Sequence, residues 1–389
     1  MKKNESQRVP LKQREGYLNF MASVLAILCG LAAGLLVLFI SDPASALGGF
    51  ASILTGAFSD MKSLGQVFYS ATPIILTGLS VGFANKTGLF NIGAPGQFIV
   101  GAYVAVLVGV RCTFIPGHLL WVVCLLAATL AGAVWGAVPG ILKALCNVNE
   151  VIACIMMNYI GMYLVNFLTV LTVYDFQKNQ SLPVAAGAVA PKLGLDKIFS
   201  YNSAASSVNA GIFIAIAMGV VVYYVLEKTS FGYELKACGY NRDAAKYAGI
   251  NETRSIILSM VIAGALSGLG GACLYLAGAG KGIEVVDTLA AEGFNGIPVA
   301  LLGLNNPLGI ILAGIFIAYL TQGGFQMQLW GFAPQVIDII IAVIIYFSAF
   351  ALILRSFVQG RRKKGPRRKK TAATQAPPPA ERREGGAAE

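Results

Sequence analysis

The long uncharged stretches of this sequence constrain its fold more than any other feature. Each Asp, Glu, Lys or Arg at the centre of a bilayer costs about 2.5–3.5 kcal/mol, and a spanning helix needs about 20 apolar residues. Only 12% of the 389 residues are charged, which excludes a disordered chain and predicts an all-α polytopic membrane protein. The candidate spans are nine charge-free runs at 16–41, 63–85, 87–110, 112–142, 151–174, 198–226, 255–280, 293–337 and 339–354.

The number of crossings follows from these runs. The run 293–337 is too long for one helix and is interrupted at Asn305-Asn306-Pro307, so we count about ten transmembrane helices. Eight full spans with additional half-helices are the alternative, because the chain around 66–110 and 294–304 can be broken. The first run, from Phe20 to Ile40, exceeds the about 7–15 apolar residues of a signal peptide and is expected to be an uncleaved helix.

The net charge of +11 belongs to the two ends of the chain. Residues 1–15 carry +3 and residues 355–389 carry +8, so the remainder is neutral. Basic segments beside spans mark the cytoplasmic side and contact anionic membrane lipid, and no nucleic-acid partner is expected. Ten crossings with both termini cytoplasmic place 23 basic residues inside and six outside. The predicted domains are a cytoplasmic basic N-tail (1–19), a transmembrane domain (20–355) and a disordered basic C-tail (356–389).

Two segments interrupt the apolar pattern with glycine, proline and amide residues. They are Asn85 to Phe98, which contains Asn91 and Gln97, and Ala290 to Pro298, which contains Asn295. Unwound backbone survives at membrane depth only inside protein or beside a polar cavity, and transporters build their pathways at such broken helices. An ordinary cytoplasmic turn is the other interpretation of the first segment. In a ten-span topology the two runs that follow them travel in opposite directions, which favours an inverted repeat of five plus five helices.

The inner loop 227–254 is the third distinctive feature. Gly239 can end a short helix and Asn241 can cap the next one, with Asp243 in its first turn. Gly249 suits a left-handed stop. We expect a compact helix pair outside the bilayer, which forms a docking surface for a soluble partner.

Other functional classes lack the residues that they need. The single histidine and seven scattered cysteines make no metal site, and no phosphate-binding loop or catalytic triad is recognisable. We therefore predict a non-enzyme without a cofactor. Asn158 lies within a span, where it can bind another helix or a polar solute. Asp338 is a stronger functional candidate, unless it is solvated near an outer helix end.

Several motifs resemble the permease subunits of bacterial ABC importers for ribose-like sugars and nucleosides, and the nucleoside branch is most similar. The matched segments outside the inner loop are Phe90-Asn91-Ile92-Gly93-Ala94, Gly96-Gln97-Phe98, Asn149-Glu150-Val151-Ile152, Asn158-Tyr159 and Gly296 to Gly303. Within the loop they are Gly232, Lys236-Ala237, Gly239, Asn241, Ala244-Ala245 and Gly249-Ile250-Asn251. The chain departs from the family pattern at Pro95, where glutamate is usual, and at Lys236, where arginine is common.

The resemblance implies a division of labour in a bacterial plasma membrane. A cytoplasmic ABC ATPase supplies energy, an extracellular solute-binding protein supplies the solute, and a second related permease completes the pathway, which implies a heterodimer. The implied pathway residues are Asn91, Gln97, Asn158 and Asn295. The residues implied to couple to the ATPase are Gly232, Lys236, Gly239, Asn241, Ala244, Ala245 and Gly249.

Two other functions remain as alternatives. An ion-coupled secondary transporter of a small polar solute also uses inverted repeats, but it usually needs intramembrane ionisable groups, and here only Asp338 and Glu150 qualify. An integral membrane enzyme lacks a candidate nucleophile or metal set.

Overall fold

The computed structural model describes residues 15–202 and 204–349, and this part of the chain is a bundle of α-helices. The C-tail and most of the N-tail lie outside the described residues. In chain order the helices are α1 (Glu15–Ser41), α2 (Ala46–Thr55), α3 (Met61–Lys86), α4 (Ala94–Arg111), α5 (Gly117–Cys146), α6 (Glu150–Thr172), α7 (Leu195–Ile198), α8 (Gly211–Lys228), α9 (Ser230–Tyr240), α10 (Arg242–Tyr247), α11 (Glu252–Tyr275), α12 (Ala291–Leu302), α13 (Pro307–Met327) and α14 (Pro334–Ala349).

Within the described residues, seven helices are long and apolar enough to cross a membrane. They are α3, α4, α5, α6, α8, α11 and α13, the last extended by a short turn to Trp330. Helix α12 has only 12 residues and is about 18 Å long, well short of the about 30 Å hydrocarbon core. The predicted membrane protein is therefore confirmed, and one of the expected breaks produces a half-helix.

Strand structure is confined to the connection between α6 and α8. In the described chain it consists of two-residue pairs, β1 (Tyr174–Asp175) with β2 (Gln180–Ser181) and β3 (Ser200–Tyr201) with β4 (Ala204–Ala205). Polar backbone groups in such a connection must find partners among themselves or in water, which places it at one end of the bundle. The all-α prediction omitted these short hairpins because the sequence of this connection has no alternating apolar pattern that would indicate strands.

Helices α3 and α11 form the centre of the bundle. Helix α3 packs against α8, α11, α12 and α13, while α11 also packs against α4 and α5. Glycines spaced four residues apart lie at these crossings. A Cβ on Gly132 of α5 would lie 2.8 Å from the Gly268 Cα of α11, and a Cβ on Gly136 would lie 3.0 Å from the Gly264 Cα. Small residues allow the two helix backbones to approach closely. This strengthens the van der Waals contacts between them, which matter inside lipid because the hydrophobic effect does not drive helix association there.

The end of the bundle at which α3 ends and α11 begins carries the helix pair α9–α10. The opposite end carries the β hairpins and the segment 276–290, which connects α11 to α12. Ser181 N–H donates to the Ile283 carbonyl (2.8 Å), and Val285 N–H donates to the Asn179 carbonyl (3.2 Å). We call 276–290 the strap, because these bonds hold it across the bundle end.

Replacing Gly264 with valine should disrupt the α5–α11 crossing, because its Cβ would meet the Gly132 backbone. Forced overpacking costs about 1–3 kcal/mol. We expect a smaller fraction of monodisperse protein after detergent extraction, measured by fluorescence-detected size exclusion. The matched control is Val134→Leu on α5, because the Val134 residue is 68% exposed. Equal behaviour of both variants would contradict this packing.

Candidate functional site

The segment 87–93 turns back into the bundle after α3 instead of forming a surface loop. Its Asn91 side chain is fully buried and donates through Nδ2 to Ser80 Oγ (3.0 Å) and to Gln97 Oε1 (2.8 Å). Gln97 Nε2 donates in return to Asn91 Oδ1 (3.1 Å). The paired amides thus satisfy each other inside the bundle, as burial of polar groups requires.

Asn158 fixes the same segment from α6. Its Oδ1 accepts from the Gly96 N–H in the first turn of α4 (2.9 Å), and its Nδ2 donates to the Ile92 carbonyl (2.9 Å). One side chain therefore satisfies an otherwise unpaired helix-end donor and an unwound carbonyl. On α11, Ser267 Oγ donates to the Ala94 carbonyl (2.7 Å) in the same way.

The second interrupted segment meets the first one. A Cβ on Gly293 of α12 would lie 2.9 Å from Pro95 Cβ, so the starts of α4 and α12 are in contact. Thr77 Oγ1 of α3 donates to the Glu292 carbonyl (3.1 Å). Asn295 lies on the first turn of α12 and is half-buried. Three of the four predicted pathway residues, Asn91, Gln97 and Asn158, lie together, and the start of α12 brings Asn295 to the same junction.

The pair α9–α10 has the predicted local structure in most respects. Asn241 caps α10 by accepting from the Ala244 N–H (3.0 Å), and Gly249 adopts φ +82° after its end. Gly239 does not end the first helix, which continues through Tyr240. The expectation of a stop was wrong because this glycine serves a close backbone approach rather than a turn.

The close backbone approach at Gly239 joins the pair α9–α10 to the interrupted segment. A Cβ on Gly239 would lie 2.7 Å from the Thr87 carbonyl carbon, and a Cβ on Gly88 would lie 2.6 Å from Gly239 Cα. Gly88 also adopts φ +75°, which favours glycine. The Thr87 hydroxyl bonds the Ser259 hydroxyl of α11. The backbone of α9 therefore contacts the segment that carries Asn91.

The other predicted coupling residues hold the pair against the bundle or face solvent. A Cβ on Gly232 would lie 2.7 Å from Leu226 Cα at the end of α8. Lys236 Nζ forms an ion pair with Glu227 (3.1 Å). Ala245 is buried, whereas Ala244 is exposed.

The ionisable candidates occupy different places. Glu150 pairs with Lys143 (2.8 Å) where α5 and α6 meet, and Asp338 is exposed near the start of α14. Our sequence interpretation missed a third group, the ion pair between Lys281 of the strap and Glu292 of α12 (2.8 Å). The sequence signal for this group was Glu292, a charged residue immediately before the apolar run that begins at 293.

A lipid-spanning bundle with interrupted helices that meet inside it, and a helix pair attached to one of them, defines a membrane transport permease. The chain belongs to the family described as "Branched-chain amino acid transport system / permease component", which matches residues 63–349. No solved structure matched the chain.

Three curated relatives extend this result over most of the chain. The guanosine ABC transporter permease NupP of Bacillus subtilis is 38% identical over 348 residues, covering 89% of this chain and 97% of NupP. The nucleoside ABC transporter permease NupB of Lactococcus lactis is 34% identical over 86% of this chain and 92% of NupB. The glucose ABC transporter permease TsgB13 of Haloferax volcanii is 34% identical over 88% and 90%. Bacillus subtilis and Lactococcus lactis each have a second permease that also matches this chain, at lower identity.

Replacing Asn158 with leucine should leave the Gly96 N–H and the Ile92 carbonyl unpaired, at about 1–3 kcal/mol for each buried group. We expect a lower melting temperature of the detergent-solubilised protein than for the exposed neighbouring change Tyr159→Phe. An unchanged melting temperature in Asn158→Leu would contradict the anchoring role.

Proposed function

We propose that this chain is a membrane-spanning subunit of an ATP-driven importer that moves nucleosides or related sugars into the cell. The contact between α9 and the Thr87-Gly88 turn carries the proposal, because it gives an external motor a mechanical route to the interrupted helices. The chain itself has no recognisable nucleotide-binding motif, so the ATPase is assigned to a separate cytoplasmic subunit.

The docking surface for that ATPase is the exposed side of α9 and α10. Tyr240 and Tyr247 are 90% and 94% exposed, an arrangement that suits burial against a partner. A cavity of about 490 Å³ separates α9 from the start of α11, and its lining includes Phe231, Glu234 and Arg254. A groove with apolar and charged walls beside two protruding aromatic residues supports a protein partner at this end.

The solute class is inferred from the relatives. Two of these relatives are named for guanosine or nucleosides, and the third is named for glucose. Ribonucleosides and glucose share a sugar ring with neighbouring hydroxyl groups. We therefore assign a nucleoside as the preferred solute, delivered by an extracellular binding protein, and a second, related permease as the other half of the pathway.

The packing supports ten crossings with both termini in the cytoplasm. The first five would be α1, α3, α4, α5 and α6, and the second five α8, α11, α12, α13 and α14. Exchanging equivalent members converts the observed α3–α13 packing into the observed α5–α11 packing, and α3–α12 into α4–α11, whereas the packing of α1 with α14 and of α3 with α8 has no comparable counterpart within the described residues. The helices with interrupted starts, α4 and α12, are third in each half. An inverted repeat explains this exchange symmetry.

Reconstitution tests the energy source. Proteoliposomes that contain this permease, its companion permease and the ATPase, supplied with loaded binding protein, should accumulate radiolabelled guanosine only with internal ATP. A proton or sodium gradient alone should give no uptake. Uptake that follows an ion gradient without the ATPase would instead support a secondary transporter.

Replacing Gly239 with valine should uncouple the motor, because the added side chain would separate α9 from the Thr87-Gly88 turn. We expect ATP-dependent uptake to fall at least about tenfold, the loss that corresponds to about 1.4 kcal/mol of activation free energy. The amount of permease in the membrane should stay constant. Ala51→Val, at an exposed position of α2 away from this loop, is the control, and equal uptake by both variants would refute the coupling role.

A further inference from the structure

The ion pair between Lys281 and Glu292 lies at the point where the strap enters α12. Lys281 Nζ is 2.8 Å from Glu292 Oε1 and 5.9 Å from the centre of the Tyr275 ring. The strap itself is fixed on its other side, where Asn166 Nδ2 donates to the Val286 carbonyl (2.9 Å). The charged pair therefore occupies a defined position rather than a free loop.

The backbone of Glu292 lies inside the bundle. The Glu292 carbonyl accepts from Thr77, which lies about 24 Å along α3 from Met61 and about 14 Å from Lys86 at 1.5 Å per residue. The carboxylate itself bonds Lys281 of the strap, and both side chains are partly exposed, 42% for Lys281 and 26% for Glu292. Charges that face hydrocarbon are expensive, so a partly exposed pair beside α12 suits a water-filled route or the companion subunit.

The neighbouring residues suit a sugar-containing solute. Asn295 lies three residues after Glu292, on the same face of α12, and offers a half-buried amide, while the Tyr275 ring beside Lys281 offers an aromatic surface. A carboxylate accepts strong hydrogen bonds from hydroxyl groups, and two neighbouring hydroxyls can engage its two oxygens. A few polar groups beside an aromatic surface are typical of small-molecule sites.

We propose that Glu292 is a specificity-determining residue that accepts the neighbouring ring hydroxyls of the solute, with Asn295 contacting its base or ring. Lys281 holds the carboxylate in place. This inference rests on the proposed import of nucleosides and assigns a contact site within the permease for them.

The test compares guanosine with 2′-deoxyguanosine in the complete reconstituted transporter, at saturating concentrations of loaded binding protein. Under that condition the maximal uptake rate depends on the permeases rather than on capture by the binding protein. In Glu292→Gln, guanosine uptake should fall about tenfold, the size expected for a lost charge-assisted hydrogen bond. Uptake of 2′-deoxyguanosine, which lacks one hydroxyl, should fall less, so that the ratio of the two rates decreases. Glu292→Asp should retain part of the wild-type ratio.

Two controls separate recognition from structural bracing. Glu284→Gln changes an exposed carboxylate of the same strap and should leave the ratio unchanged. The exchange Lys281→Glu with Glu292→Lys restores an ion pair but moves the carboxylate, so guanosine uptake should remain low. Recovery in that double variant, or an equal loss of both solutes in Glu292→Gln, would overturn the proposal. Absence of ATP-dependent uptake of either nucleoside by the wild type would overturn the proposed function itself.

Discussion

The need to satisfy backbone polar groups away from water governs the interior of this permease. The segment 87–93 leaves helical geometry inside the bundle, where each unpaired amide or carbonyl would cost several kcal/mol. Asn158 meets that requirement by accepting from the Gly96 N–H and donating to the Ile92 carbonyl, while the buried side chains of Asn91 and Gln97 bond each other. An interrupted helix is stable here because neighbouring helices supply its missing partners.

The same network connects the two regions with functional roles. The segment 87–93 contacts α9 through Gly88, and the adjoining start of α4 contacts α12 through Pro95. The pair α9–α10 and the junction with α12 are thus separated by one short, well-anchored stretch of chain. Allosteric communication needs such a contiguous element, because packed interiors shift between discrete arrangements rather than deforming gradually.

Much of this arrangement could be predicted from the sequence, because hydrocarbon imposes strong rules on composition. Charge-free runs indicated the spans, and glycines spaced four residues apart, at Gly132, Gly136, Gly264 and Gly268, form the close α5–α11 crossing in the structure. The role of Gly239 was misjudged, since a glycine that ends a helix and one that touches another backbone look alike in sequence. Lys281 and Glu292 are eleven positions apart along a connection, and only the folded strap brings them together.

The contact between Gly88 and Gly239 has a directional consequence. Two backbones without intervening side chains repel steeply when pressed together, so a thrust on α9 reaches the interior almost undiminished. Their attraction is weak, since each pair of heavy atoms contributes only about 0.1–0.2 kcal/mol. Such a contact transmits compression well but tension poorly. If α9 carries the proposed ATPase-driven motion, the return of the segment 87–93 therefore depends on its other contacts, such as those of Thr87 with Ser259 and of Ile92 with Asn158.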